Sequence, residues 1–458
     1  MFSPKDYLLV EWANVRRNLQ ETLRFRYSES HIRDFYAECE ERLDYIKKNL
    51  DATSTKETSD LREIALSLDN LAHLIARVER SHLEEFSWPF GDALAHVAKH
   101  ICTEQLALQR EPLFFFAAEG GINSYAIRPE KQGPSAVDQK IFSVIFPRSL
   151  KDHVLLHAIL AHEVGHAAYA TDSILHDLQR ICETLIAGSP VATPNGMFAW
   201  CKNNIGVVNK GSSGVVAERH ASWTEEFYCD LFGLILCGPS YLCAFQSMLE
   251  PMALPKGTAS QFVPSHPPFE CRMIALVEAA TELGFFYSRD RKDKESLART
   301  FDAALIDKAS NLRAAGHSLL ISRNVRKATR ELMALMGRFD DLVFPPLDFE
   351  LIQKLDRALE RNIPPTEGIV AGGKRIRQWE DRVPDRIDFR HILYAGWVHW
   401  SNKRKLPIYK EVDSMEKLFS TINRLCSHAI LQQQSIGWWI HNLSRKSHDG
   451  SVEKGNPR

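Results

Sequence analysis

The chain has 458 residues, with 57 Lys and Arg against 58 Asp and Glu, so no net field points to nucleic acid as a partner. Hydrophobic residues make up 44%, an ordinary globular composition, and the length predicts two or three domains. Nine cysteines are scattered without a CxxC pair, which supports neither a zinc knuckle nor a disulfide framework and fits a reducing, cytoplasmic setting.

The N-terminal stretch carries Asp6, Glu11 and Arg16-Arg17 through its apolar part, so it lacks the uninterrupted core of a signal peptide. Residues 1–108 read as a helical region. Leu8, Trp12, Val15 and Leu19 repeat at helical spacing. Leu61, Ile64, Leu68, Leu71, Ile75 and Val78 form an a/d seam, too short for a long coiled coil and suited to antiparallel packing in a bundle. Asp51 to Ser59 reads as a polar linker.

Strand signals gather next, opening a core predicted over 109–284. Leu113 to Phe116, Ser124 to Ile127 and Ile141 to Phe146 are expected to form a small mixed sheet. Ile141 to Phe146 is the candidate edge strand, to which the main chain of a substrate would add. Pro147 ends it. Ser149, with Asp152 three residues on, then reads as the N-cap of a helix whose apolar stripe is Val154, Leu155, Ala158, Ile159 and Ala161.

That helix carries His162-Glu163-Val164-Gly165-His166, an HExxH box. Residues i and i+4 share a helix face, so both imidazoles reach one ion, and Glu163 stands beside them to take a proton from an activated water. Two imidazoles and a carboxylate with one open position form a common catalytic zinc set, so zinc is the expected cofactor, one per chain.

The third ligand has two candidates, Asp172 and Glu226, with Glu225 a minor alternative to the second. Asp172 follows His166 by six residues, but Tyr169 stands where such a spacing needs a glycine to turn the chain. Asp172-Ser173 reads instead as the cap of a helix with Ile174, Leu178, Ile181 and Leu185 on its core face. Glu226 is the preferred candidate, with Glu225 its neighbour. Glu226 and Asp230 share a helix face, so Glu226 can complete the zinc shell while Asp230 accepts a hydrogen bond from the far nitrogen of His162. The apolar residues that follow, Leu231 to Leu236, would make such buried acids costly without partners.

HExxH followed at a distance by E-x-x-x-D is similar to the gluzincin metallopeptidases. Ser265-His266-Pro267-Pro268-Phe269-Glu270-Cys271-Arg272 adds an HPPxxxR string. It resembles the membrane-linked gluzincins related to the CAAX prenyl endopeptidases and the heat-shock-type membrane metallopeptidases. The three motifs lie in the same order over about 110 residues, a quarter of the chain. The resemblance implies a zincin core, a zinc endopeptidase activity with Glu163 as base and Glu226 as third ligand, and a place near the cleft for His266 and Arg272. There they would stabilise the oxyanion of the tetrahedral intermediate. One departure is plain: those relatives have membrane spans flanking the site, and no stretch here reads as one.

Between Gly188 and Glu218 the chain is rich in Gly, Asn, Pro and Ser and reads as a surface loop bordering the cleft. Residues 285–458 read as a second helical region with a polar tail after Ser447. Gly368 to Arg375 is one residue short of a P-loop and has Arg where magnesium needs Ser or Thr, so it reads as a flexible basic loop. Trp397, Trp400, Trp438 and Trp439 read as bundle core.

The expectation is thus a mainly α (α+β) protein with a zincin-like core between helical regions, hydrolysing peptide bonds in a protein or peptide substrate. The rival is a regulatory or binding protein on a zincin scaffold, its partner engaged through the helical regions.

Overall fold

A computed structural model describes residues 3–23, 30–54, 58–82, 113–118, 126–129, 141–150, 152–169, 175–252, 261–286, 297–336, 346–366, 387–402 and 414–449. Asp172, the Gly368 to Arg375 loop, Cys102 and the side chains of Trp438 and Trp439 lie outside the described residues. The protein is mainly helical and divides into two compact units. One holds residues 1–151, 166–176 and 339–342; the other holds 152–165, 177–338 and 343–458.

In the first unit, α1 (Pro4–Thr22), α2 (Ser30–Ala52) and α3 (Thr58–His82) pack on one another. Ser3 opens α1 with a capping box: its hydroxyl accepts from the Asp6 amide at 3.2 Å and the Asp6 carboxylate accepts from the Ser3 amide at 3.1 Å. The predicted stripes form the core. Leu8, Val15 and Leu19 meet Leu61, Ile64, Leu68, Leu71 and Ile75, with Tyr36, Leu43 and Leu50 of α2 filling the third side. The Trp12 indole N–H donates to the Leu43 carbonyl at 2.8 Å. The linker is shorter than Asp51 to Ser59, because α2 runs through Ala52 and α3 begins at Thr58.

The strands are β1 (Leu113–Ala118), β2 (Ala126–Pro129) and β3 (Ile141–Phe146), in the order β1-β3-β2. β1 runs parallel to β3, from Leu113 opposite Ile141 to Ala118 opposite Phe146; β2 runs antiparallel, with Ala126 opposite Ile145. This corrects the edge-strand expectation. Ile141 to Phe146 is the central strand, hydrogen-bonded on both sides, and so has no open ladder to offer a substrate backbone. Val144, Ile145 and Phe146 are all buried, as a central strand requires, whereas alternation alone does not distinguish centre from edge.

The HExxH segment lies on α4 (Leu160–Tyr169), preceded by a 3-10 turn over Leu156–Ile159. Ser149 is not its N-cap: it sits in a separate 3-10 turn, Arg148–Leu150. The segment that leads into α4 is held from far away in sequence. The Asn423 side-chain oxygen accepts from the Leu155 amide at 2.9 Å, and the Trp397 indole donates to the Leu155 carbonyl at 3.3 Å. The expected stripe Val154, Leu155, Ala158, Ile159 and Ala161 is buried.

After α5 (Leu175–Ile186), with Leu178, Ile181 and Leu185 buried, the Gly188 to Glu218 stretch is more ordered than its composition predicts. Its polar residues cap helices rather than fill a loop. Thr193 caps α6 (Pro194–Ile205), accepting from the Gly196 amide at 3.1 Å, and Gly206 ends it at φ 67°. Ser212 caps the long α7 (Ser213–Cys237). Gly238, at φ 61°, turns the chain into α8 (Pro239–Leu249).

The remaining helices are α9 (Phe269–Glu282), α10 (Leu297–Ala314), α11 (Ser322–Met336), α12 (Phe349–Glu360), α13 (Phe389–Asn402) and α14 (Met415–Asp449). Trp397 is buried in α13, and Trp400 packs edge-on against Phe419 of α14 at 4.7 Å. α13 and α14 thus hold Leu155, ahead of the turn that leads into α4. Among the described residues no helix is long and apolar enough to cross a membrane.

Candidate metal centre

The site is built from three helices and one loop. α4 supplies His162, Glu163 and His166; α7 supplies Glu226 and Asp230; α9 supplies Arg272; and the HPP loop supplies His266. α7 is polar toward its start and wholly buried from Glu226 to Cys237, so its two acids enter an apolar interior where they need partners.

His162 provides one. Its Nε2 lies 3.2 Å from Glu226 Oε2 and its Nδ1 lies 3.1 Å from Asp230 Oδ1. Arg272 provides the other. Its Nε donates to Asp230 Oδ2 and its Nη2 to Asp230 Oδ1, both at 2.7 Å, while Nη1 lies 3.1 Å from Glu226 Oε2. All four groups are buried, with Asp230 only 1% exposed. Two carboxylates face one imidazole and one guanidinium, so charge is balanced inside the protein when His162 is protonated.

The titration behaviour follows. Burial disfavours protonation of His162, but Glu226 and Asp230 outweigh it and lift the pKa to about 10. Burial pushes the Glu226 carboxyl up, yet Arg272 and His162 hold it well below the ordinary carboxylate range. Asp230 is lowered for the same reasons, against its burial, by Arg272 and His162.

Tyr241 of α8, which the sequence reading did not single out, completes the arrangement. Its hydroxyl donates to Asp230 Oδ1 at 2.7 Å and lies 3.3 Å from His162 Nδ1. It reaches in because Gly233 carries no side chain: a Cβ there would stand 2.6 Å from the Tyr241 ring. Arg272 also lies over the Phe245 ring, 5.0 Å from its centre.

His266 differs from the rest. Its side chain is 60% exposed, with Nε2 3.3 Å from Glu226 Oε1 and Nδ1 2.8 Å from the Ser265 hydroxyl. The Trp223 indole anchors its loop by donating to the Pro264 carbonyl at 2.9 Å. Glu163 and His166 are partly exposed.

Zinc fits this set in part. Bonds of about 2.0–2.2 Å in a tetrahedron place neighbouring donors about 3.3 Å apart, and the His162 to Glu226 separation is 3.2 Å. The Nδ1 contact with Asp230 is the outer hydrogen bond that a zinc-bound imidazole needs to fix its tautomer. Among the described residues, the His/Cys/Asp/Glu group whose donor atoms all lie within 4.8 Å of one another is His162, His166 and Cys229; Glu226, the expected third ligand, falls outside it.

Cys229 is not among the residues that the sequence singles out. Two signals could have raised it: it lies three residues after Glu226 on the same helix face, and Gly165, inside the HExxH box, leaves room for it. A Cβ on Gly165 would meet Cys229 Cα at 3.1 Å and Sγ at 3.2 Å, so α4 and α7 cross closely there. No family model, curated protein sequence or solved structure matches this chain.

Proposed function

We propose that this chain is a zinc-dependent metallopeptidase of gluzincin type, acting on a protein or peptide substrate. The observation that carries the reading is the bracketing of His162, from the HExxH helix, between Glu226 and Asp230 of the E-x-x-x-D helix. An isolated HExxH string does not require a distant helix to present one acid to each nitrogen of the same ring.

In this reading His162, His166 and Glu226 hold the metal. When bound, zinc supplies a Lewis acid that makes water acidic and polarises the scissile carbonyl. The protein does the rest. Glu163, next to His162 and partly exposed, accepts a proton from the attacking water and returns it to the leaving amine. Asp230 and Tyr241 hold the His162 ring by its Nδ1 side, leaving Nε2 toward Glu226. Arg272 spans both acids and so acts as a positioning residue, because its guanidinium contacts two carboxylates and a ring face. His266 is the exposed imidazole beside Glu226, and it is the group assigned to the developing oxyanion.

The test is Glu163→Gln, measured for bound zinc and for cleavage of an unfolded protein such as reduced casein. Zinc retained with cleavage abolished supports the reading. Cleavage or a biological activity that survives the change contradicts it.

A further inference from the structure

We propose that Cys229 is a protein donor to the same metal ion, so that the resting centre is closed by four side chains: His162, His166, Glu226 and Cys229. This rests on the zinc reading above and goes beyond the gluzincin motif set, which leaves one position open.

Three observations carry it. The Sγ of Cys229 and one ring nitrogen each of His162 and His166 lie within 4.8 Å of one another, a grouping that could hold a metal ion without Glu226. Glu226 falls outside that grouping but stands 3.2 Å from His162 Nε2, beside the shared imidazole. Finally, the close crossing of α4 over α7 is centred on Cys229: Gly165, one residue before His166, has no Cβ, and one placed there would sit 3.2 Å from Sγ. The space that a side chain would take in the HExxH box is given to the thiol.

Chemistry makes the thiol a better donor than bystander. A divalent cation held there would take the thiolate: the S–H proton would leave to solvent as the sulfur–metal bond forms, and the cation would neutralise the anion where it stands. Four protein donors complete the tetrahedron and leave no place for water, which is the pattern of a structural or resting zinc site rather than a working one. Hydrolysis then requires Cys229 to withdraw, and the thiol becomes the control point of the centre.

Cobalt(II) reads this directly, because a thiolate donor gives an intense near-ultraviolet charge-transfer band that nitrogen and oxygen donors do not. The full chain is loaded with cobalt alone, as wild type and as Cys229→Ala. The expected result is the band in the wild type and its loss in the variant, with cobalt still bound through the other three donors. Cobalt bound by the wild type without the band overturns the assignment of Cys229 and leaves the zinc reading standing. A band that persists in Cys229→Ala also overturns it, since another cysteine must supply the sulfur. Failure of the wild type to bind cobalt or zinc overturns the metal reading itself and this inference with it.

Discussion

Arg272 grips Asp230 with two parallel hydrogen bonds of 2.7 Å, joining the arginine of the HPPxxxR string to the aspartate of E-x-x-x-D inside the protein. The pair is a fork-to-carboxylate contact, strong and geometrically specific, and the third guanidinium nitrogen continues to Glu226 at 3.1 Å. Replacing Arg272 by Met removes the cation but keeps the volume, leaving Asp230 with His162 and Tyr241 and Glu226 with His162 and His266. Breaking a buried pair this way costs about 3–5 kcal/mol. Urea unfolding is expected to show a loss of that size, and a loss near zero would mean that the two acids find other partners.

Tyr241→Phe isolates one hydrogen bond. The ring stays packed over Gly233, and only the donor to Asp230 is lost. The expected cost is about 1–3 kcal/mol, because a buried charged acceptor loses a partner. Gly233→Ala is expected to have a larger effect than its own methyl group warrants, since a Cβ would stand 2.6 Å from the tyrosine ring and must displace it. Combining the two substitutions checks the link: the double variant should lose less than the sum of the single ones.

Acid sensitivity is expected from Glu278 on α9. Its burial works against ionisation, but hydrogen bonds from Arg326 and Arg313 outweigh it and hold the carboxyl below its ordinary value. A depressed folded-state pKa contributes stability that is present above the unfolded value and is lost as pH falls through the folded one. Glu278→Gln should therefore lower Tm at neutral pH, and the difference from wild type should shrink below about pH 4. A difference that stays constant down to acid pH would show that the carboxylate charge is not what links α9 to α10 and α11.

The helices of the first unit offer a test independent of any metal. Leu71 is 4% exposed in the core that α1, α2 and α3 share, so Leu71→Ala should cost about 2–5 kcal/mol. Circular dichroism melting reads this as a lowered transition, while metal content per folded chain is expected to stay unchanged.

Much of this was legible in the sequence where a pattern repeats or where chemistry forces a partner. The spacing from Leu61 to Ile75 marked the face of α3 that is buried. Glu226 and Asp230, four apart before an apolar run, needed buried partners, and His162 and Arg272 are there. What the sequence hid depends on contacts remote in the chain. Ser149 looked like a helix cap, yet the Leu155 amide is satisfied by Asn423, 268 residues away. Ile141 to Phe146 looked like an edge, but strand order is a property of the sheet and not of one segment. The Gly188 to Glu218 stretch looked like a loop because Thr193, Gly206 and Ser212 are cap residues, and caps share their composition with turns. Cys229 was passed over because a lone cysteine in an apolar helix carries no signal until Gly165 is set against it.

The most direct measurement is zinc bound per chain, after loading and removal of excess metal, in the wild type beside His166→Ala. His166 is partly exposed, so its loss should leave the fold intact. The account predicts about one zinc per wild-type chain and a large loss in the variant. No zinc in the wild type, or the same amount in both proteins, would contradict it.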